Sequence, residues 1–417
     1  MLFDRVDLRA GIRDRSPQRG VNPDRERLED RDLDRLDGRF THHDVGAGDV
    51  APADETHREK QCRPSDPPSP VHAAIIRATG ASVNGAPLGA RDVPPYRWVH
   101  RPDRTEKEDP LRRFLIDTDT ASDDAVALVM ALRHLDVQVE AITVVAGNVP
   151  LDLGVQNALY TVERCGASVP VYAGLAGPML RPLQTAQFCH GEDGMGDIGL
   201  PLTGRTPADG HAVDVLLEIS DRAGDELTLV TLGPLTNVAT ALLRDPAFAD
   251  RIGRCVIMGG IGYGYGNIVP AAEYNIWVDP DAAKIVFESA LPIVMVGWDV
   301  SHKHATFTAE EAETLREISD LAAFCVDIQK ALRQFGIDYL KQDGFDLPDP
   351  IAMAVALEPD VATDVRSLHV DIETKSELTR GATIVDHLRV TGRAPNADVV
   401  LEASRERFLA ALRSAVR

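Results

Sequence analysis

The 417-residue chain has few cysteines and no pattern among them. The five (Cys62, Cys165, Cys189, Cys255 and Cys325) are scattered, odd in number and without the paired spacing of a metal site. They read as reduced thiols of a cytoplasmic protein, mostly core filler. Positive charge is also scarce: 44 Lys and Arg stand against 65 Asp and Glu, a net charge of −21. A surface that acidic argues against nucleic acid or an anionic membrane as a partner. No apolar run reaches the roughly 18 residues of a membrane-spanning helix. The N-terminus lacks the apolar core of a secretory signal, and no internal repeat is visible.

Apolar residues are sparse over residues 1–110. That segment mixes Arg with acids, as in Arg25-Glu26-Arg27-Leu28-Glu29-Asp30-Arg31-Asp32, and later carries Pro64-Ser65-Asp66-Pro67-Pro68-Ser69-Pro70. Such a stretch buries too little surface to offset its ordering entropy, so a mostly disordered extension is expected. It is either a tail or the product of a start codon placed too far upstream. From about residue 112 the pattern becomes regular. Strands are expected at Arg113–Asp117, Val137–Val145, Val169–Tyr172, Leu227–Leu232, Cys255–Met258 and Ile293–Val296. Helices are expected at Asp123–His134, Leu153–Cys165, Ala212–Ala223 and Pro280–Ser289. Residues 308–335 read as two helices, Pro350–Leu357 as another with Pro in its first turn, Ser367–Ile372 as strand-like, and Ser404–Val416 as a closing helix. This alternation predicts an α/β domain over 111–417, with an open, mainly parallel sheet and helices on both faces. Residues 174–210, rich in Gly and Pro, read as a long functional loop.

The stretch Phe114-Leu115-Ile116-Asp117-Thr118-Asp119-Thr120-Ala121-Ser122-Asp123-Asp124 organises this domain. An apolar strand ends in two carboxylates, small residues follow, and two more carboxylates open a helix. Thr120 or Ser122 is expected to cap that helix, with Asp123 and Asp124 in its first turn at the positive end of the dipole. Four carboxylates this close repel one another, and burying one costs several kcal/mol unless a cation or strong donors offset it. Oxygen ligands suit a hard divalent ion such as calcium or magnesium rather than zinc. The plainer alternative is a solvated acidic turn. Acids directly after a buried strand, however, sit at the sheet edge where α/β proteins bind ligands.

The same edge gathers Asn148, Leu232 and the loop after Gly260, which includes Asn267, Glu273, Tyr274 and Asn275. Amides and carboxylates together match a polyhydroxylated ligand, because a carboxylate accepts hydroxyl protons and an amide both donates and accepts. Taken singly, Asn267 and Asn275 are ordinary turn residues.

These residues resemble the inosine–uridine-preferring nucleoside hydrolase family. The resemblance runs from Asp117-Thr118-Asp119 and Asp123-Asp124-Ala125-Val126-Ala127 through Gly147-Asn148, Gly233-Pro234-Leu235-Thr236-Asn237 and Met258-Gly259-Gly260. It continues through Asn267…Glu273-Tyr274-Asn275 to Asp349-Pro350, covering about residues 113–415. It implies an open α/β fold and calcium-dependent hydrolysis of the N-glycosidic bond of ribonucleosides, giving ribose and a free base for purine and pyrimidine salvage. It further implies that Asp119, Asp124 and Asp349 bind Ca2+ with their carboxylates and Leu232 with its backbone carbonyl. Asp119 would also deprotonate the calcium-bound water. Asp123, Asn148, Asn267, Glu273 and Asn275 would hold the ribose, with Asp349 shared between ion and sugar and Asp117 supporting the loop. A homodimer or homotetramer is usual in the family.

There are departures. Many members carry a histidine directly before the aspartate that corresponds to Asp349, where it helps the base leave. Here that residue is Pro348, which can neither donate a proton nor stack like an imidazole. His190 resembles a base-side histidine of some members; a loop histidine with no catalytic task is its plainer reading. His302 and His304 are expected to cap or line the sheet edge. Phe335 and Tyr339 either flank the base or belong to the core. Thr120-Ala121-Ser122 stands where many members have a Pro-Gly pair. Two rival readings remain. One is a haloacid-dehalogenase-like phosphatase, which would need a lysine at a strand end, whereas Lys284 falls within an expected helix. The other is a non-catalytic calcium-dependent nucleoside or sugar sensor on the same fold.

Overall fold

The computed structural model describes residues 111–417 apart from Gln342. The disorder expected for residues 1–110 therefore lies outside the described residues. Strands β1 (Arg112–Thr118), β2 (Val137–Val144), β3 (Val171–Ala173), β4 (Leu227–Thr231), β5 (Arg254–Met258), β6 (Ile293–Val296), β7 (Ala362–Leu368) and β8 (Ala397–Ala403) form one sheet in the order 3-2-1-4-5-6-8-7. Every neighbouring pair is parallel except β7 with β8.

The central strands are near-continuous apolar runs because both of their faces are covered. Leu115, Leu229 and Ile257 pack into the core on one face, and Phe114, Ile116 and Val230 into the core on the other. The chain order reverses at β1, with β2 and β3 on one side and β4 to β6 on the other. Where neighbouring strands send their connections in opposite directions, a crevice opens beyond their carboxyl ends. Asp119 and Leu232 directly follow β1 and β4 at that point.

Several local expectations need correction. Neither Thr120 nor Ser122 caps the first helix, Ser122–Leu132. The cap position is Ala121, and Asp124 Oδ2 reaches back to accept its N–H at 3.0 Å. The carboxylate serves because the cap residue has no acceptor of its own. Residues 308–335 hold three helices, Ala309–Arg316, Asp320–Asp327 and Lys330–Phe335, rather than two. Ser319 starts the second by accepting Ala322 N–H at 3.0 Å. Gln329 breaks it from the third, and its Nε2 donates to Ser122 O at 2.9 Å.

The stretch Ser367–Ile372 is not one strand. Its first residues end β7, and Val370–Ile372 turns away to pair with Thr383–Val385. Asn396 holds that break, accepting from Val370 N at 2.8 Å and donating to Val370 O at 2.9 Å. The helix expected from Pro350 starts at Pro348, which sets Asp349 in its first turn. Lastly, Tyr274–Val278 is a short helix rather than loop.

Candidate active site

The site is built on the turn after β1. Asp117 lies beneath it, fully buried, and its Oδ1 accepts from Thr143 Oγ1 at 2.5 Å and Asn237 Nδ2 at 2.8 Å. These bonds tie β1 to β2 and to the helix after β4, which fixes the direction in which the following residues emerge. Asp119 Oδ2 accepts the main-chain N–H of Asn148 at 2.6 Å. Asp124 accepts from Thr118 Oγ1 at 2.5 Å and from Asn148 Nδ2 at 3.2 Å. Asn148, in the turn after β2, thus bridges two of the acids.

The sequence brings Asp349 from more than two hundred residues away to the same point. One oxygen from each of Asp123, Asp124 and Asp349 lies within 4.8 Å of the others. All four acids are buried. Oδ1 of Asp119, of Asp123 and of Asp349 is buried and lacks any hydrogen-bond partner. Burial, and then the neighbouring Asp124 charge, pushes the pKa of Asp119 and of Asp349 well above the carboxylate range. Burial lifts Asp123 to about 6. Among the described residues no lysine or arginine pairs with the four. The one basic side chain in range among the described residues is His190, with Nδ1 3.7 Å from Asp123 Oδ1 and 3.0 Å from Ser122 Oγ. Burial lowers the His190 pKa to about 4, so it brings no positive charge at neutral pH. Orphaned, mutually repelling carboxylate oxygens of this kind fit a hard divalent cation.

Above the acids lies a cavity of about 380 Å³, a size usual for small-molecule sites. Asp123, Asn148, His190, Asn267, Glu273, Asn275 and Asp349 all line it. Asp119, Asp124 and Leu232 sit beneath, each fully buried. The loop after β5 is held by Glu273, whose Oε2 accepts Gly260 N–H at 2.9 Å and whose Oε1 accepts Asn275 N–H at 2.7 Å. Burial nevertheless raises the Glu273 pKa to about 7. Asn267 Oδ1 accepts Tyr274 N–H at 2.9 Å, which leaves its amide hydrogens for a ligand. Asn275 Nδ2 donates to Leu232 O at 2.6 Å, which leaves its Oδ1 to accept and one lone pair of the Leu232 carbonyl unused.

The family profile described as inosine-uridine preferring nucleoside hydrolase matches residues 114–410. The chain belongs to that family. It is therefore an enzyme, a nucleoside hydrolase, and the non-catalytic sensor reading is not favoured. It is 38% identical over 302 residues to the pyrimidine-specific ribonucleoside hydrolase RihA of Salmonella paratyphi C (strain RKS4594), covering 71% of this chain and 95% of that one. The RihA of Escherichia coli (strain SE11) is 37% identical over the same length. Among solved structures, a plant nucleoside hydrolase, PpNRh1, superposes with a TM-score of 0.70 at 31% identity, covering 74% of this chain and 99% of that one. The purine-preferring ribonucleoside hydrolase of Gardnerella vaginalis gives 0.68 at 32% identity, covering 73% and 98%.

The phosphatase reading has no support in this nucleoside hydrolase. Lys284 lies in the helix Pro280–Phe287 and pairs with Glu288 at 2.8 Å, outside the cavity lining. Of the cavity's other walls, the sequence points to Phe335, as a flank to the base, and to His302, at the sheet edge, but not to Trp298, Tyr265, Phe188 or Asp346. Trp298, His302, Tyr265, Phe188 and Asp346 line it together with Phe335. Tyr339 stacks on Phe335 at 4.9 Å between ring centroids but is itself largely exposed. His304 pairs with Glu402 at 2.9 Å and is not part of the lining. The signal for His302 was present, a histidine four residues into a helix that starts at a strand end. Nothing in the sequence tied it to Asp346, 44 residues on.

Proposed function

We propose that this hydrolase cleaves the N-glycosidic bond of ribonucleosides in a calcium-dependent reaction, giving ribose and the free base. The observation that carries this reading is the buried set of four acids, three of them with an orphaned oxygen, at the floor of a nucleoside-sized cavity. Asp119, Asp124, Asp349 and the Leu232 carbonyl would hold the ion, with Asp123 close enough to share it or to face the sugar. When bound, Ca2+ lowers the pKa of an adjacent water and keeps the surrounding carboxylates ionised.

The chain's own residues do the rest. Asp119 is fixed through Oδ2 by Asn148 N–H, and its free Oδ1 takes the proton of the attacking water. Asp123, Asn148, Asn267, Glu273 and Asn275 hold the ribose hydroxyls, Asn267 as donor and Asn275 Oδ1 as acceptor. That grip orients the anomeric carbon toward the water. The transition state resembles an oxocarbenium ion, and the ring of carboxylates stabilises its positive charge. A cytoplasmic location, a role in base salvage and a homodimer or homotetramer complete the proposal.

The test is base release from inosine, uridine, cytidine and adenosine, with chelator and with calcium restored. Turnover that falls on chelation and returns with calcium supports the reading. No turnover on any of the four by folded, calcium-loaded protein would overturn it.

A further inference from the structure

Breaking an N-glycosidic bond leaves an electron pair on the base, and a nucleobase anion departs poorly unless it is protonated. Two imidazoles line the cavity, and the structure places them differently. His190 is buried against the acids, its Nδ1 engaged with Ser122 Oγ at 3.0 Å. His302 stands on the opposite construction. Its Nδ1 lies 2.9 Å from Asp346 Oδ2, and its ring stacks on Trp298 with centroids 5.6 Å apart and planes at 24°. Tyr265 meets the ring edge-on at 6.1 Å. Asp346 is itself held: Thr306 Oγ1 sits between its Oδ1 and the His302 carbonyl, 2.7 Å from the latter, and shares its one proton between them.

This is a carboxylate–imidazole pair whose geometry is over-determined. The carboxylate accepts Nδ1–H and selects the ring state, and the stacked indole fixes the plane. Nε2 then has no partner among the described residues, and the ring is about a third exposed, at 37%, so it can reload from solvent. The Asp346 hydrogen bond also holds the imidazole's pKa above its ordinary value. The location fits the task. Asp346 ends the short strand Gly344–Asp346, three residues before Asp349 of the acidic floor. Trp298, Tyr265 and Phe335 line the same cavity, and aromatic side chains suit a planar base. Pro348, in the same segment, has no proton to give.

We infer that His302, oriented by Asp346, protonates the departing nucleobase through Nε2. This rests on the ribonucleoside hydrolase reading. In the step, the C1′–N bond breaks and its electron pair passes to the base, which takes the Nε2 proton. Water oxygen bonds C1′, and the water proton goes to Asp119. Solvent then exchanges protons with Asp119 and His302, so that nucleoside and water give ribose and base with no other reactant. His302 acts on the leaving group; Asp346 is a positioning residue.

The experiment compares nucleosides with 4-nitrophenyl β-ribofuranoside, whose leaving phenolate needs no proton. His302→Ala is expected to lower kcat/KM for inosine or uridine by about 100- to 1000-fold, and for the nitrophenyl riboside by less than about tenfold. Asp346→Asn should show the same selectivity at smaller amplitude, and it carries the comparison if His302→Ala does not fold. A purely structural role would depress both substrates alike, and that result would overturn the inference. So would nucleoside turnover by His302→Ala within about threefold of wild type, or leaving-group-selective loss in His190→Ala instead. Wild-type protein inactive on every nucleoside would sink the underlying hydrolase reading. Active wild type with equal losses would sink only the role of His302.

Discussion

A Cβ placed on Gly147 would stand 2.1 Å from Oδ2 of Asp119. A Cβ on Gly233 would stand 2.7 Å from Oδ1 of the same carboxylate. The ends of β2 and β4 thus clasp Asp119 from two sides, and only glycine leaves it room. Gly147→Ala is expected to displace the carboxylate and cost on the order of 100-fold in kcat, since misplacement of a reacting group by about 1 Å has that effect. Steady-state kinetics beside a circular dichroism spectrum would check it; an unchanged kcat in the folded variant would mean that the clasp is not what positions Asp119.

Asp119→Asn keeps the size of the side chain and its bond from Asn148 N–H, but removes the proposed proton acceptor. A loss of about 100- to 10,000-fold in turnover is expected, the range of a general base. The assay is base release at saturating nucleoside and calcium. A rate within tenfold of wild type would move the base role to another carboxylate.

Cation binding should stabilise the fold, because four buried acids repel one another without it. Calcium at about 100 times its dissociation constant would add about 2.7 kcal/mol to unfolding. Thermal melts with chelator and with excess calcium should differ by several degrees, and Asp349→Asn should shrink that difference. Identical melts would argue that the floor holds no cation.

Glu273 gives a pH signature. Its folded pKa is raised to about 7 from the ordinary glutamate value, burial outweighing the backbone N–H bonds it accepts. The folded state therefore holds this proton more tightly than the unfolded chain. Stability is highest below the unfolded pKa and is lost as pH rises toward the folded one, with no further change above it. Denaturation midpoints measured at about pH 5 and about pH 8 should fall less in Glu273→Gln than in wild type, by up to one proton's worth of slope. The variant also loses an acceptor, so its absolute stability is lower; only the slope is diagnostic. Equal slopes would place the titration elsewhere.

Much of this architecture is legible in the residues. The runs around Phe114–Ile116, Leu229–Thr231 and Ile293–Val296 are apolar on both faces, which only a covered parallel sheet explains. The edges of the domain were less legible. Nothing local marks β8, and Ser367–Ile372 has the pattern of one strand, because pairing with a partner distant in sequence decides where such segments bend. The first helix's cap is illegible for a related reason: Thr120 and Ser122 are ordinary capping types, and that Asp124, three residues on, caps Ala121 instead depends on where the turn begins.

The sequence by itself determined the chemistry at the end of β1: acids after a buried strand, four within eight residues, at the edge where ligands bind. It also determined the amides and glutamate of the loop after β5, since their types already match a sugar. What only the tertiary structure decided is which distant groups join them. Asp349 completes the acidic floor from the far end of the chain, and Asp346 orients His302 across 44 residues. Local pattern reports what a segment can form. It carries no distance between segments, and the reversal of strand order at β1 is what brings these groups to one crevice.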